Sequence, residues 1–137
     1  MLCICLSSFG CARAVETTKV IWGSSTKALE EARADALSQK YLCFYTECFD
    51  AVLSVSKEAQ YEIFIRDRIK GHIVVMGIPG SINTTEVGIF FDALDEKKVK
   101  IDISSLSTKA KTEVAKVIFL DLDKKFQKEV SHGSHEN

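Results

Sequence analysis

Cys43 and Cys48 are the residues whose spacing points most directly to chemistry. They flank the junction between a predicted strand and a predicted helix, where a disulfide would close a small loop and add about 2 kcal/mol of stability. Cys48 also falls in the first helical turn, a position that activates a thiol. No motif supplies a base, because His72 is the only histidine before the tail. Three states stay open: a disulfide, two inert buried thiols, or a thiol-dependent enzyme.

The segment GIPGSINTT, residues 77–85, is the second candidate site. Gly77, Pro79 and Gly80 predict a turn-rich loop between two strands. The segment lacks the Gly-Lys-Ser/Thr signature of a nucleotide-binding loop. It is either an ordinary connector or a loop that offers hydrogen bonds to a partner through Ser81, Asn83, Thr84 and Thr85.

Metal chemistry is not expected. His132 and His135 have the H-x-x-H spacing of metal ligands, but a short terminal tail lacks the rigid surroundings that a zinc site needs. Asp121 and Asp123 are two apart on a predicted helix and therefore point to different faces, as solvated charges do. We expect no metal and no other cofactor.

Composition limits the functional classes further. The chain has 137 residues, 46% of them hydrophobic and 27% charged, which is typical of one globular domain. The formal net charge of −1 disfavours nucleic-acid binding, which needs a basic surface. No apolar run approaches the roughly 20 residues of a membrane-spanning helix.

The first ten residues, MLCICLSSFG, are uncharged and mostly apolar, as in the last part of a secretory signal peptide. Cleavage between Gly10 and Cys11 would remove Cys3 and Cys5. It would leave Cys43 and Cys48 as an even number of thiols in a compartment that permits disulfides.

Residues 6–11, LSSFGC, resemble a bacterial lipobox, with Gly10 as the small residue before the cysteine and Ser8 where the pattern usually has Leu. The order of elements downstream is similar to that of small bacterial lipoproteins of unknown function. This resemblance implies lipid attachment at Cys11 and a membrane-anchored location in the cell envelope, facing the periplasm. Two alternatives stay open: cleavage after the A-x-A pattern at residues 12–14, which releases a soluble protein, and a cytoplasmic protein with an apolar start.

Four segments follow from these patterns: a signal-peptide remnant (1–10), a tether with an N-terminal helix (11–40), an α+β domain (41–128) and a disordered tail (129–137). The pattern over residues 24–40 predicts a helix with Glu30, Glu31 and Arg33 on a solvated face. Two further helices are expected to begin at the caps Thr46 and Ser107. Alternating apolar residues predict strands over 61–67, 69–76, 86–94 and 99–105, with residues 41–45 as an earlier strand.

The predicted fold is a two-layer α+β sandwich. It has an antiparallel sheet of four to five strands, two helices packed on one face, and the N-terminal helix preceding them. The predicted function is a non-enzymatic, lipid-anchored envelope protein that binds a protein partner or a small ligand. The alternative is a soluble carrier or a thiol-dependent enzyme, the carrier having a pocket lined by Phe49, Phe64, Phe90 and Phe91.

Overall fold

The computed structural model describes residues 26–128. Cys11, the N-terminal cleavage sites, the first residues of the tether, the two tail histidines and the tail itself lie outside the described residues. Residues 26–31 are helical and continue into a 3-10 turn, Ala32–Asp35. The remaining elements are β1 (Leu37–Leu42), α1 (Tyr45–Glu58), β2 (Glu62–Asp67), β3 (His72–Met76), β4 (Val87–Asp95), β5 (Lys98–Ser105), α2 (Thr108–Lys125) and β6 (Gln127–Lys128).

The α+β class is confirmed, and the strand count is corrected. The described residues form one antiparallel sheet of six strands in the order β2-β3-β4-β5-β1-β6, rather than four or five. The additional strand, β6, has only two residues and pairs with Tyr41 and Leu42 at the end of β1. A two-residue strand carries no alternation that a sequence pattern could reveal.

The N-terminal helix ends earlier than its pattern indicates. Leu37–Lys40, which continue the alanine-rich helical spacing, belong to β1 and pair with β5 from Leu37↔Ile103 to Tyr41↔Val99. A thin apolar face buries little area as a helix, whereas pairing with a central strand satisfies every backbone group on that side. Helix α1 begins at Tyr45, directly before the expected cap Thr46.

One face of the sheet, here called the core face, packs against α1 and α2. The alternating residues of β5 and β4 point into this core, together with apolar residues on both helices. Helix α2 begins where the sequence indicates: the Ser107 Oγ accepts a hydrogen bond from the Ala110 N–H at 3.2 Å. The buried side chains of the core include Val99, Ile101, Ile103, Val87, Ile89, Phe91, Phe49, Val52, Val114, Ile118 and Leu122.

The opposite face of the sheet, here called the second face, is covered in part by residues 26–35. Leu29 packs there against Val74 and Phe90, with Ile65 at the margin. Gly88 allows this approach, because a Cβ at that position would lie 2.7 Å from the Phe90 ring and 3.3 Å from the Leu29 Cβ. The N-terminal segment therefore packs on the face opposite α1 and α2 instead of preceding the sandwich.

The strand directions give the sheet two distinct ends. The loop over residues 77–86, the end of β5 and the start of α2 share the loop end. The β2–β3 turn, the β4–β5 turn and the end of β1 share the other, the turn end. Within residues 26–128, none of the helices combines the length and hydropathy needed to span a bilayer.

Candidate functional site

A groove of about 370 Å³ lies at the loop end of the second face. Three segments line it: the N-terminal helical segment, the end of the 77–86 loop, and the junction between β5 and α2. Its volume falls within the range of ligand pockets, roughly 300–1,000 Å³. The lining residues are Ala28, Leu29, Thr84, Thr85, Glu86, Ser105, Leu106 and Ser107.

The 77–86 loop presents its two threonines through a compact backbone. Ile78 anchors the loop in the core, and the left-handed conformation of Gly77 (φ 70°) turns the chain away from β3. The Gly77 N–H donates to the Asn83 carbonyl at 3.2 Å, and the Thr85 N–H donates to the Ile82 carbonyl at 2.8 Å. These hydrogen bonds hold the loop in a compact conformation, and its last residues, 84–86, form one wall of the groove.

Serine hydroxyls hold the other walls together. The Ser104 Oγ donates to the Leu29 carbonyl and the Ser105 Oγ to the Glu86 carbonyl, each at 2.7 Å. The Ser105 Oγ also accepts from the Ser107 N–H at 3.1 Å. These serine hydroxyls are bonded within the fold, so the side chains left to meet a ligand are the Thr84 and Thr85 hydroxyls, the Glu86 carboxylate and the apolar groups.

Leu106 is the most unusual residue of the groove. It is 79% exposed between two serines whose side chains bond to the backbone. Leu106 forms an exposed apolar lip of the groove, and the buried Leu29 forms its apolar floor. Such a surface favours contact with another apolar group.

Only two of the four loop residues that the sequence suggested for partner contact line the groove. Thr84 and Thr85 line the groove, whereas Ser81 and Asn83 lie outside its lining. The sequence reasoning missed the contributions of Ala28, Leu29, Glu86 and the β5–α2 junction. One sequence feature could have indicated the β5–α2 junction, the serines around Leu106 in the segment Ser104-Ser105-Leu106-Ser107. Serine side chains at the end of a strand often form hydrogen bonds to nearby backbone groups and so stabilise such a junction.

The four phenylalanines proposed for a carrier pocket do not meet. Phe49 and Phe91 pack against each other in the main core, with ring centroids 4.9 Å apart and the ring planes tilted by 43°. Phe90 packs on the second face, and Phe64 is 51% exposed at the β2 edge of the sheet. Residues 90 and 91 point to opposite faces because side chains alternate along a strand. A pocket built from all four is therefore wrong.

The sulfur atoms of Cys43 and Cys48 lie at disulfide distance. Both residues are buried, and they join the end of β1 to the first turn of α1. Burial and pairing leave neither sulfur accessible as a nucleophile in this arrangement.

A partly buried ion-pair cluster on the second face was not predicted from the sequence. Arg33, assigned to a solvated face by sequence, donates from Nε and Nη2 to the Asp102 Oδ2 at 3.1 and 2.7 Å, and from Nη2 to the Asp92 Oδ2 at 2.7 Å. The Ser38 hydroxyl donates to the second Asp102 oxygen. The Arg33 guanidinium also lies 4.6 Å above the Phe90 ring. Arg33 therefore fastens the N-terminal segment to the sheet.

Two further titratable side chains, His72 and Tyr41, are held within the fold. His72 is buried with its ring 5.8 Å from Phe90, and burial lowers the pKa of His72. Tyr41 donates to the Asp123 carboxylate at 2.8 Å, and burial raises the pKa of Tyr41, as does that carboxylate. Among residues 26–128, no group of three or more His, Cys, Asp or Glu side chains is arranged to hold a metal ion.

Comparison with known proteins leaves the site to be interpreted from its own geometry. No protein-family model matches the chain, and no curated protein is significantly similar to it.

Proposed function

We propose that this protein is a non-enzymatic, lipid-anchored protein of the bacterial cell envelope that binds a protein partner or a small ligand in the groove at the loop end. The groove carries this proposal, because it combines an apolar floor at Leu29, an exposed apolar lip at Leu106 and two threonine hydroxyls. Among the described residues, no hydrogen bond joins a groove hydroxyl to a carboxylate or an imidazole, the pairing that activates a hydroxyl nucleophile.

The chemistry of the groove indicates what it accepts. A volume of about 370 Å³ fits a small apolar molecule or the apolar side chains of a short peptide segment. The Thr84 and Thr85 hydroxyls can donate to or accept from a polar group at the margin, which orients the bound molecule. Glu86 adds a negative charge and favours a neutral or cationic ligand over an anion.

The membrane partner follows from the lipobox-like residues that end at Cys11. Acyl chains on that cysteine would hold the protein at a membrane, at about 0.8 kcal/mol for each buried methylene. Residues 12–25 would connect the anchor to the domain, which starts beside the groove at residues 26–29. The folded domain would then be free for recognition.

Metabolic labelling with a fatty acid tests the anchor. The full gene is expressed in a bacterium as wild type and as Cys11→Ala. We expect label in the wild type and none in the variant. Unlabelled protein beginning at Val15 would instead indicate a soluble exported carrier, and an intact Met1 with reduced thiols would indicate a cytoplasmic protein.

Site-specific crosslinking in whole cells tests the groove. A photoreactive amino acid replaces Leu106 at the groove, or Leu120 on α2 as a control that is also exposed, at 57%. We expect a discrete adduct from position 106, none from position 120, and loss of the adduct when Ala28→Trp fills the groove. An adduct that survives Ala28→Trp would contradict binding in the groove.

The cysteine pair separates the proposal from the thiol-dependent enzyme. Rapid and selective alkylation of Cys48 at neutral pH would support the enzyme. The bonded and buried state of both sulfurs supports slow alkylation, and with it a structural role.

A further inference from the structure

The chain enters the described structure beside the groove. Residues 26–31 are helical, and two of them line the groove, Ala28 on its wall and Leu29 on its floor. On the opposite side, Leu106 is 79% exposed, so the described residues leave most of the apolar lip uncovered. An apolar side chain carried just before Thr26 is therefore the nearest candidate to cover this surface.

The sequence before Thr26 contains such side chains. Val20-Ile21-Trp22 is the longest apolar run between positions 12 and 25, and Trp22 is the only tryptophan of the chain. Burial of a tryptophan removes about 150–250 Å² of surface from water, which is the largest apolar contribution available to this segment. A groove of about 370 Å³ has room for an indole ring and one aliphatic neighbour.

The connection is long enough to place Trp22 in the groove and short enough to keep it close. Trp22 precedes Ala28 by six residues, which span roughly 20 Å when fully extended. Gly23 and Ser24 are typical turn residues and allow the chain to fold back over the helical segment. A short tether of this kind gives Trp22 an effective concentration at the groove of about a millimolar, so a contact of modest affinity is well occupied.

The polar groups of the groove also complement this segment. The indole N–H of a buried tryptophan usually finds an acceptor, and the Thr84 and Thr85 hydroxyls can accept it. Lys19 directly precedes the apolar run. Its charge is opposite to that of Glu86, which lines the groove and forms no ion pair with another described residue.

We propose that residues 20–22 occupy the groove of their own chain, with the Trp22 ring between the Leu29 floor and the Leu106 lip. This inference rests on the proposed function, because it concerns the regulation of the same groove. A partner or ligand must displace the segment, so its apparent affinity falls in proportion to the fraction of molecules whose groove is open. In the anchored protein, displacement also lengthens the free tether from residues 12–19 to residues 12–25.

The fluorescence of Trp22 tests this contact, because no other tryptophan contributes to the emission. The full chain carrying Cys11→Ser is the parent. Leu106→Glu places a charge on the groove lip, and Leu120→Glu is the control at a leucine on α2 that is also exposed, at 57%. We expect short-wavelength emission and weak acrylamide quenching from the parent and from Leu120→Glu. Leu106→Glu should shift the emission and the quenching toward those of the urea-unfolded chain, while circular dichroism shows that its fold is kept.

Two outcomes of this measurement would overturn the inference. Equal emission from Leu106→Glu and the parent would show that Trp22 does not lie in the groove. Emission of the parent that moves to longer wavelength on dilution would place Trp22 in the groove of a second copy, because an intramolecular contact does not depend on concentration.

Crosslinking in whole cells separates this inference from the proposed function. Trp22→Ser should raise severalfold the yield of the partner adduct from the photoreactive residue at position 106, since the groove is then open. Equal yields with and without Trp22→Ser would contradict displacement by the partner and leave the proposed binding standing. Short-wavelength Trp22 emission with no adduct from either chain would instead contradict the proposed partner and leave the self-contact standing.

Discussion

Arg33→Met is expected to lower the free energy of unfolding by about 2–3 kcal/mol. The Met side chain keeps apolar contact with Phe90 but removes the closer of the two cations beside Asp102, whose side chain is only 5% exposed, and leaves the Lys100 Nζ at 3.7 Å. Breaking a buried ion pair typically costs about 3–5 kcal/mol because one charge is left without a partner. We use a lower value because the Arg33 side chain is 26% exposed and solvent screens part of the interaction.

Urea unfolding of matched variants measures this effect. Arg66→Met removes an exposed arginine of the edge strand β2 and should change stability by no more than about 0.5 kcal/mol. The double variant Arg33→Met/Asp102→Leu should lose less than the sum of its single changes, because it removes both charges together. If Arg33→Met lowers the free energy of unfolding no more than Arg66→Met does, Arg33 behaves as a solvated surface residue. That result would contradict its role in holding the N-terminal segment on the sheet.

Phe49→Ala is expected to cost about 3–5 kcal/mol of folding free energy. Phe49 is fully buried on α1, where its ring lies 4.9 Å from Phe91 and 6.0 Å from Tyr45, and the Arg68 guanidinium covers it at 4.7 Å. Truncation removes the transfer energy of the ring and leaves a cavity between the helix and the sheet. The surrounding strands are paired on both sides and cannot collapse to fill it.

Phe64→Ala is the control for this prediction. Phe64 is half-exposed at the edge of the sheet, so its loss should cost less than about 1 kcal/mol in the same urea titration. Similar losses at Phe49 and Phe64 would contradict their separation into core and edge.

Patterns confined to a few neighbouring residues were readable before the fold was known. The alternation of Val99, Ile101 and Ile103 predicted strand β5, because period-two burial depends only on which side chains share a face. Ser107 predicted the start of α2, since a cap bonds to a backbone group three residues away. Short connections predicted antiparallel pairing, and the order of helical and strand-like segments predicted the α+β class.

The features that make the candidate sites depend on contacts between distant parts of the chain. Leu37–Lys40 carry a helical spacing, yet they form a strand because β5 offers them a complete ladder of hydrogen bonds. Arg33 resembles a surface charge until Asp92 and Asp102, more than fifty residues away, are brought beneath it. The groove likewise unites three segments that are separate in sequence.

The sequence by itself therefore determined the class of fold and most of its elements, because these arise from local periodicity and spacing. It named Cys43 and Cys48 as a possible pair but left their bonding state open. The tertiary structure alone decided which polar residues are buried and which loop threonines line a groove. The physical reason is that burial and charge pairing depend on which elements are neighbours in space. That adjacency follows from strand order and register, which involve residues far apart along the chain.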